Sequence, residues 1–136
     1  MTNTLSGSCL CGEIAFEIEN QFDNFYFCSC AQCRQITGSA FASNLFAKTT
    51  GFRWTKGEEK VKRFKLPNRD IAKTFCPNCG SGVPKISADG QSVMVPAGAL
   101  NGEPQMPLPK RIFQRERPNW ATYYEAYDAF ERFPLR

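Results

Sequence analysis

Histidine is absent from this chain of 136 residues, and that absence removes a large part of enzyme chemistry. Without imidazole there is no ligand of that kind for a metal, no general base poised near neutral pH and no proton shuttle. Long apolar runs are absent too, for nothing approaches the roughly 20 residues of a membrane-spanning helix. The N-terminal MTNTLSGSCLCGE has neither a basic leader nor an apolar stretch, so no secretory signal is expected, and the expected location is the cytoplasm. Lys and Arg are scattered rather than gathered in a block, which leaves nucleic-acid binding with little support. No repeat, low-complexity tract or linker interrupts the chain, whose length is that of a single domain spanning 1–136.

What is present is aromatic and sulfur-rich. A hydrophobic fraction of 42% with 12 Phe suits a core built from aromatic side chains on sheet faces. Residues 12–19 alternate, with Ile14, Phe16 and Ile18 on one face and Glu13, Glu17 and Glu19 on the other, the pattern of a half-buried strand. Extended segments are expected at 24–28, 40–47, 60–66, 71–75, 83–86 and 92–95, with Asp89-Gly90 as a hairpin turn before the last. Residues 31–37 are expected to form one or two helical turns ended by Gly38. The stretch 102–109 has three prolines and reads as a loop, and 120–133 as a short terminal helix. Short strands separated by turn residues predict a mostly β domain.

Seven cysteines fall in three clusters: Cys9 and Cys11, then Cys28, Cys30 and Cys33, then Cys76 and Cys79. Disulfides are one reading, but an odd count and a reducing compartment fit it poorly. Metal ligation fits better. Cys76-x-x-Cys79-Gly80 has the spacing of a zinc knuckle, in which two intervening residues let both sulfurs reach one tetrahedral ion. Cys9-x-Cys11, read as extended chain, turns its two sulfurs to one side. Together these four thiolates make a closed structural site. Cys28-Ser29-Cys30-x-x-Cys33 offers three thiolates and no evident fourth ligand, the pattern of an open, reactive site; the alternative is a metal-free thiol cluster. The formal charge of +4 falls to +2 with one zinc on four thiolates and to +1 with a second zinc on three. Three thiolates make that second ion a poor Lewis acid for water, and an external thiolate suits its open position better.

Gly-Ser-Cys9-x-Cys11-Gly12, Cys28-x-Cys30-x-x-Cys33-Arg34 and Phe75-Cys76-Pro77-Asn78-Cys79-Gly80, in this order, resemble the glutathione-dependent formaldehyde-activating family, also called the GFA or CENP-V family. The resemblance runs through nearly the whole chain, to the Arg-Pro-x-Trp segment ending at Trp120. It implies a β-tent-like fold of antiparallel sheets with short helical segments. It also implies a structural zinc on Cys9, Cys11, Cys76 and Cys79, and a second, exchangeable zinc on Cys28, Cys30 and Cys33, which would be the catalytic residues. Ser29, and a position near Arg111, stand where family members often have histidine. The activity implied is that of a carbon–sulfur lyase joining formaldehyde, or a related small carbonyl compound, to glutathione as co-substrate. Glutathione carries two carboxylates, and Arg34 is the expected cation for them, ahead of Arg69 and Arg111. The alternative is a non-catalytic zinc module that binds glutathione or a protein partner.

Overall fold

The computed structural model describes residues 3–105 and 107–134. Met1 and Thr2 of the leader reading and Met106 of the loop reading lie outside the described residues. Among the described residues, ten strands and one α-helix follow one another as β1 (Thr4–Ser8), β2 (Ala15–Glu19), β3 (Asn24–Cys28), α1 (Ala31–Thr37), β4 (Ala42–Lys48), β5 (Phe52–Lys56), β6 (Lys62–Lys65), β7 (Ala72–Phe75), β8 (Lys85–Ile86), β9 (Ser92–Pro96) and β10 (Lys110–Ile112). They form three sheets in the orders β1-β2-β5, β10-β3-β4-β9-β8 and β6-β7. The pairings are antiparallel except for β10, which lies parallel to β3 with Ile112 beside Cys28.

The alternation expected at 12–19 sets the first sheet. Phe16 and Ile18 of β2 are buried while Glu17 between them is only half-covered, and Ile14 is buried in the turn before them. β1 pairs with β2 from Thr4↔Glu19 to Ser8↔Ala15, so the chain between the two strands must reverse at Cys9–Ile14. The main core lies where β2 meets β3, β4 and β9, with Phe16, Ile18, Phe25, Leu45, Val93 and Val95 in contact. Phe16, Phe52 and Trp54 pack edge-to-face or tilted, with centroids 5.0 to 6.4 Å apart. Gly7 is required by this packing, because a Cβ there would overlap the Phe16 ring and come within 2.7 Å of the Ala99 carbonyl oxygen.

The hairpin at Asp89-Gly90 forms as expected between β8 and β9. The helix at 31–37 also forms and ends at Gly38, whose left-handed backbone returns an N–H to the Arg34 carbonyl. Three expectations need correction. Residues 120–133 contain no α-helix, only 3₁₀ turns at Asn119–Ala121 and Tyr124–Ala126, because their aromatics lack a 3.6-residue stripe to bury and stay exposed. Cys9 and Cys11 are not on a strand. β1 stops at Ser8, and the two cysteines lie in a turn closed by Gly12 N–H to the Cys9 carbonyl and Cys9 N–H to the Ile14 carbonyl. The strand expected at 60–66 is shortened to Lys62–Lys65 and exposed throughout, with Phe64 outside the core.

Candidate metal centres

The first centre gathers Cys9, Cys11, Cys76 and Cys79, whose sulfurs all lie within 4.8 Å of one another. The Sγ atoms of Cys9 and Cys11 are 3.7 Å apart and those of Cys11 and Cys76 are 3.8 Å apart. Sulfurs bonded to one tetrahedral zinc at ~2.3 Å must be about 3.8 Å apart, so the donor set and its spacing fit that ion. Two turns far apart in the sequence, one near the N-terminus and one in the middle of the chain, build the shell. In the second, Gly80 takes positive φ and donates its N–H to the Cys76 carbonyl at 2.7 Å, while Cys76 N–H bonds the Ser81 carbonyl.

Cys9 and Cys76 are buried with Ile14 and Val83, and Trp54, Val61 and Cys79 pack against them, so the centre doubles as a small core. Ile14 N–H points at Cys9 Sγ from 3.3 Å. Ser81 joins the two turns, since its Oγ accepts the Leu10 N–H at 3.1 Å and sits 3.3 Å from Cys79 Sγ. That hydroxyl, then the Ser81 backbone, pulls the Cys79 thiol down to about 5. The Asn78 amide likewise lowers Cys11.

The second centre brings Cys28, Cys30 and Cys33 within the same 4.8 Å limit. Cys28 ends β3 and is buried; Cys30 caps α1, its sulfur accepting the Cys33 N–H at 3.4 Å; Cys33 sits in the first helical turn. Burial pushes the Cys33 thiol far up and raises Cys28. Cys30 is lowered despite its burial, because the Cys33 N–H and the neighbouring thiols stabilise its thiolate. Three thiols held together with such different acidities form a soft site that a divalent ion would ionise as a unit. No fourth protein donor from Cys, Asp, Glu or His joins the cluster among the described residues.

The C-terminal segment braces this centre. Ser29 N–H bonds the Ile112 carbonyl at 3.1 Å, and Gln114 Nε2 donates to Ser29 Oγ at 3.3 Å. Glu116 Oε1 accepts the Ala31 N–H at 3.0 Å. Arg34 of α1 turns back toward the same loop, donating Nε–H to the Ser29 carbonyl at 3.1 Å.

A groove of about 1110 Å³ has walls in both centres. Its sides come from α1 with Cys30 and Cys33, from β7, and from the Gly80–Gly82 stretch of the first centre; β4 and β9 also line it. The volume is just above the roughly 300–1,000 Å³ usual for small-ligand sites. Arg34 is not among its lining residues. Sequence reasoning found all seven sulfurs but missed Ser81, whose position after the knuckle was the available signal, and Gln114 and Glu116, for which the sequence has none.

The family described as glutathione-dependent formaldehyde-activating enzyme matches over residues 4–116. A crystal structure of a Rhodobacter sphaeroides protein shares the fold, at 24% identity and a TM-score of 0.59, covering 76% of this chain and 97% of that one. No curated protein matches the chain.

Proposed function

The chain belongs to the glutathione-dependent formaldehyde-activating family, and from that membership we propose that it catalyses, as a zinc-dependent carbon–sulfur lyase run in the joining direction, the addition of glutathione to formaldehyde or a related small carbonyl compound. The observation that carries this reading is the opening of the three-thiol cluster, through Cys30 and Cys33, into a groove large enough for a tripeptide. A zinc ion bound by Cys28, Cys30 and Cys33 would supply one free coordination position suited to a soft thiolate. The closed set of Cys9, Cys11, Cys76 and Cys79 is assigned a structural zinc.

The reaction asks for little beyond placement. The glutathione sulfur adds to the carbonyl carbon, a carbon–sulfur bond forms, and the carbonyl π electrons pass to oxygen, which takes up a proton to leave a hydroxymethyl thioether. A thiolate is the reacting species, and formaldehyde is electrophilic enough to need no strong Lewis acid. The protein therefore contributes proximity and a deprotonated thiol, the terms that convert a two-body encounter into a positioned one. The braced Ser29 loop joins the buried Cys28 to Cys30, which lines the groove.

The test is exchange spectroscopy by NMR on glutathione and formaldehyde, with and without zinc-loaded protein. Faster formation of S-(hydroxymethyl)glutathione than in buffer, abolished by Cys33→Ser, is expected. An unchanged exchange rate would remove the enzyme reading. No helix among the described residues is long and apolar enough to cross a membrane.

A further inference from the structure

Charge is sparse in the groove. Among the described residues that line it, Asp70, Lys73 and Lys85 are the charged side chains. Lys73 lies on β7 and Lys85 on β8, and both are half-buried. The Lys73 ammonium donates to the Ile36 carbonyl of α1 at 2.7 Å, and the Lys85 ammonium to the Ala72 carbonyl at 3.4 Å. An ammonium has three hydrogens, so each retains two for another acceptor. Neither lysine forms an ion pair among the described residues, where the pairs are Arg53–Glu17 and Lys60–Glu13.

A cation drawn partly out of water without an anion is unfavourable unless something else supplies the negative charge. Burial, then Arg63, lowers Lys85, while Asp70 and Cys33 act in the opposite sense, and Lys85 lines the same groove as Cys30 and Cys33 of the three-thiol cluster. Three thiolates around a zinc leave a net charge of −1, and a fourth from a ligand would make it −2. Arg34 directs its Nε–H to the Ser29 carbonyl and does not line the groove.

Resting on the reading that the groove takes glutathione, we infer that Lys73 and Lys85 are its carboxylate-binding groups and that Asp70 faces the ligand's ammonium. Two cations and one anion in the wall match the two carboxylates and one ammonium of the ligand. The groove thereby selects an acidic thiol over a neutral one of similar reactivity, and the two ammoniums offset the charge that builds up at the second centre.

Calorimetry on the zinc-loaded full chain tests this with glutathione, its glycyl ethyl ester and 2-mercaptoethanol. Lys73→Met and Lys85→Met should each weaken glutathione binding about tenfold, the size expected of a charge-assisted contact. Arg34→Met should change it less than about threefold, and 2-mercaptoethanol should bind wild type and both lysine variants alike. The ester should bind wild type about tenfold more weakly than glutathione, and lose nothing further on the variant whose lysine met that carboxylate. Lysine variants with wild-type zinc content and melting behaviour that bind glutathione as wild type does would overturn the inference. An ester that binds wild type as tightly as glutathione would also overturn it, and needs no variant to fold. If wild type binds no glutathione at all, the proposed function itself falls, and this inference with it.

Discussion

At the scale of single residues the seven cysteines divide by how many protein donors they find. Cys9 and Cys76 are buried within a four-sulfur shell, so removing either would leave the proposed structural zinc only three sulfurs inside a small core. Cys76→Ser or Cys9→Ser should therefore cost several kcal/mol of folding free energy, since structural zinc in small domains contributes on the order of 10 kcal/mol. Melts with zinc present should show a fall of about 10 °C or more. Cys28→Ser, Cys30→Ser and Cys33→Ser should melt closer to wild type but lose glutathione binding by calorimetry. Equal melting losses in the two groups would contradict the division into structural and exchangeable sites.

Ser81 allows a finer test. Its hydroxyl serves both turns of the first centre, through the Leu10 N–H and the Cys79 sulfur. Such partners orient the ligands and tune their charge. Ser81→Ala should destabilise by about 1 kcal/mol, a typical value for one hydrogen bond, and should make the first zinc easier to chelate. Chelator competition read with a zinc-sensitive dye measures the second effect. A dissociation rate unchanged from wild type would reduce Ser81 to a turn residue.

At the scale of elements, the position of each centre follows from strand ends. β1 and β2 are joined by a short turn that holds Cys9 and Cys11, and β7 runs directly into the turn with Cys76 and Cys79. The second centre forms where β3 ends and α1 begins, and β10 closes over it in parallel pairing. β1 keeps its place because Gly7 admits the Phe16 ring against its backbone. Gly7→Ala should force either β1 or that ring to move, at about 1–3 kcal/mol by the usual cost of overpacking. Urea unfolding should show the lower midpoint with little change in slope. A midpoint equal to wild type would mean that β1 shifts freely, against its continuous register with β2.

At the scale of the whole molecule, the two centres share one groove but differ in exposure to exchange. Four protein sulfurs enclose the first, whereas the second has three and opens into the groove. Stepwise chelation should remove zinc from the second centre first and leave the first occupied, with the fold retained at the half-way point. Metal analysis alongside circular dichroism follows both events. Loss of both ions together, or retention of the second centre after the first is empty, would reverse the roles given to the clusters.

The sequence by itself determined the donors, and much of the sheet that places them. Cysteine spacing is a local property, and Cys76-x-x-Cys79-Gly80 needs only its own backbone to turn two sulfurs toward one point. Ile14, Phe16 and Ile18 likewise declare a buried face by alternation, and Gly38 marks where α1 must stop. β1 was not legible because TLSGS has no apolar alternation; it becomes a strand by pairing with β2. β10 has three residues and gains its register only from β3. β5 carries its own signal, since Phe52 and Trp54 alternate with Arg53 and Thr55. Only the tertiary structure decided that Arg34 faces the Ser29 carbonyl while Lys73 and Lys85 face the groove. The direction of a long charged side chain depends on which surfaces the sheets bring beside it, and no spacing along the chain encodes that.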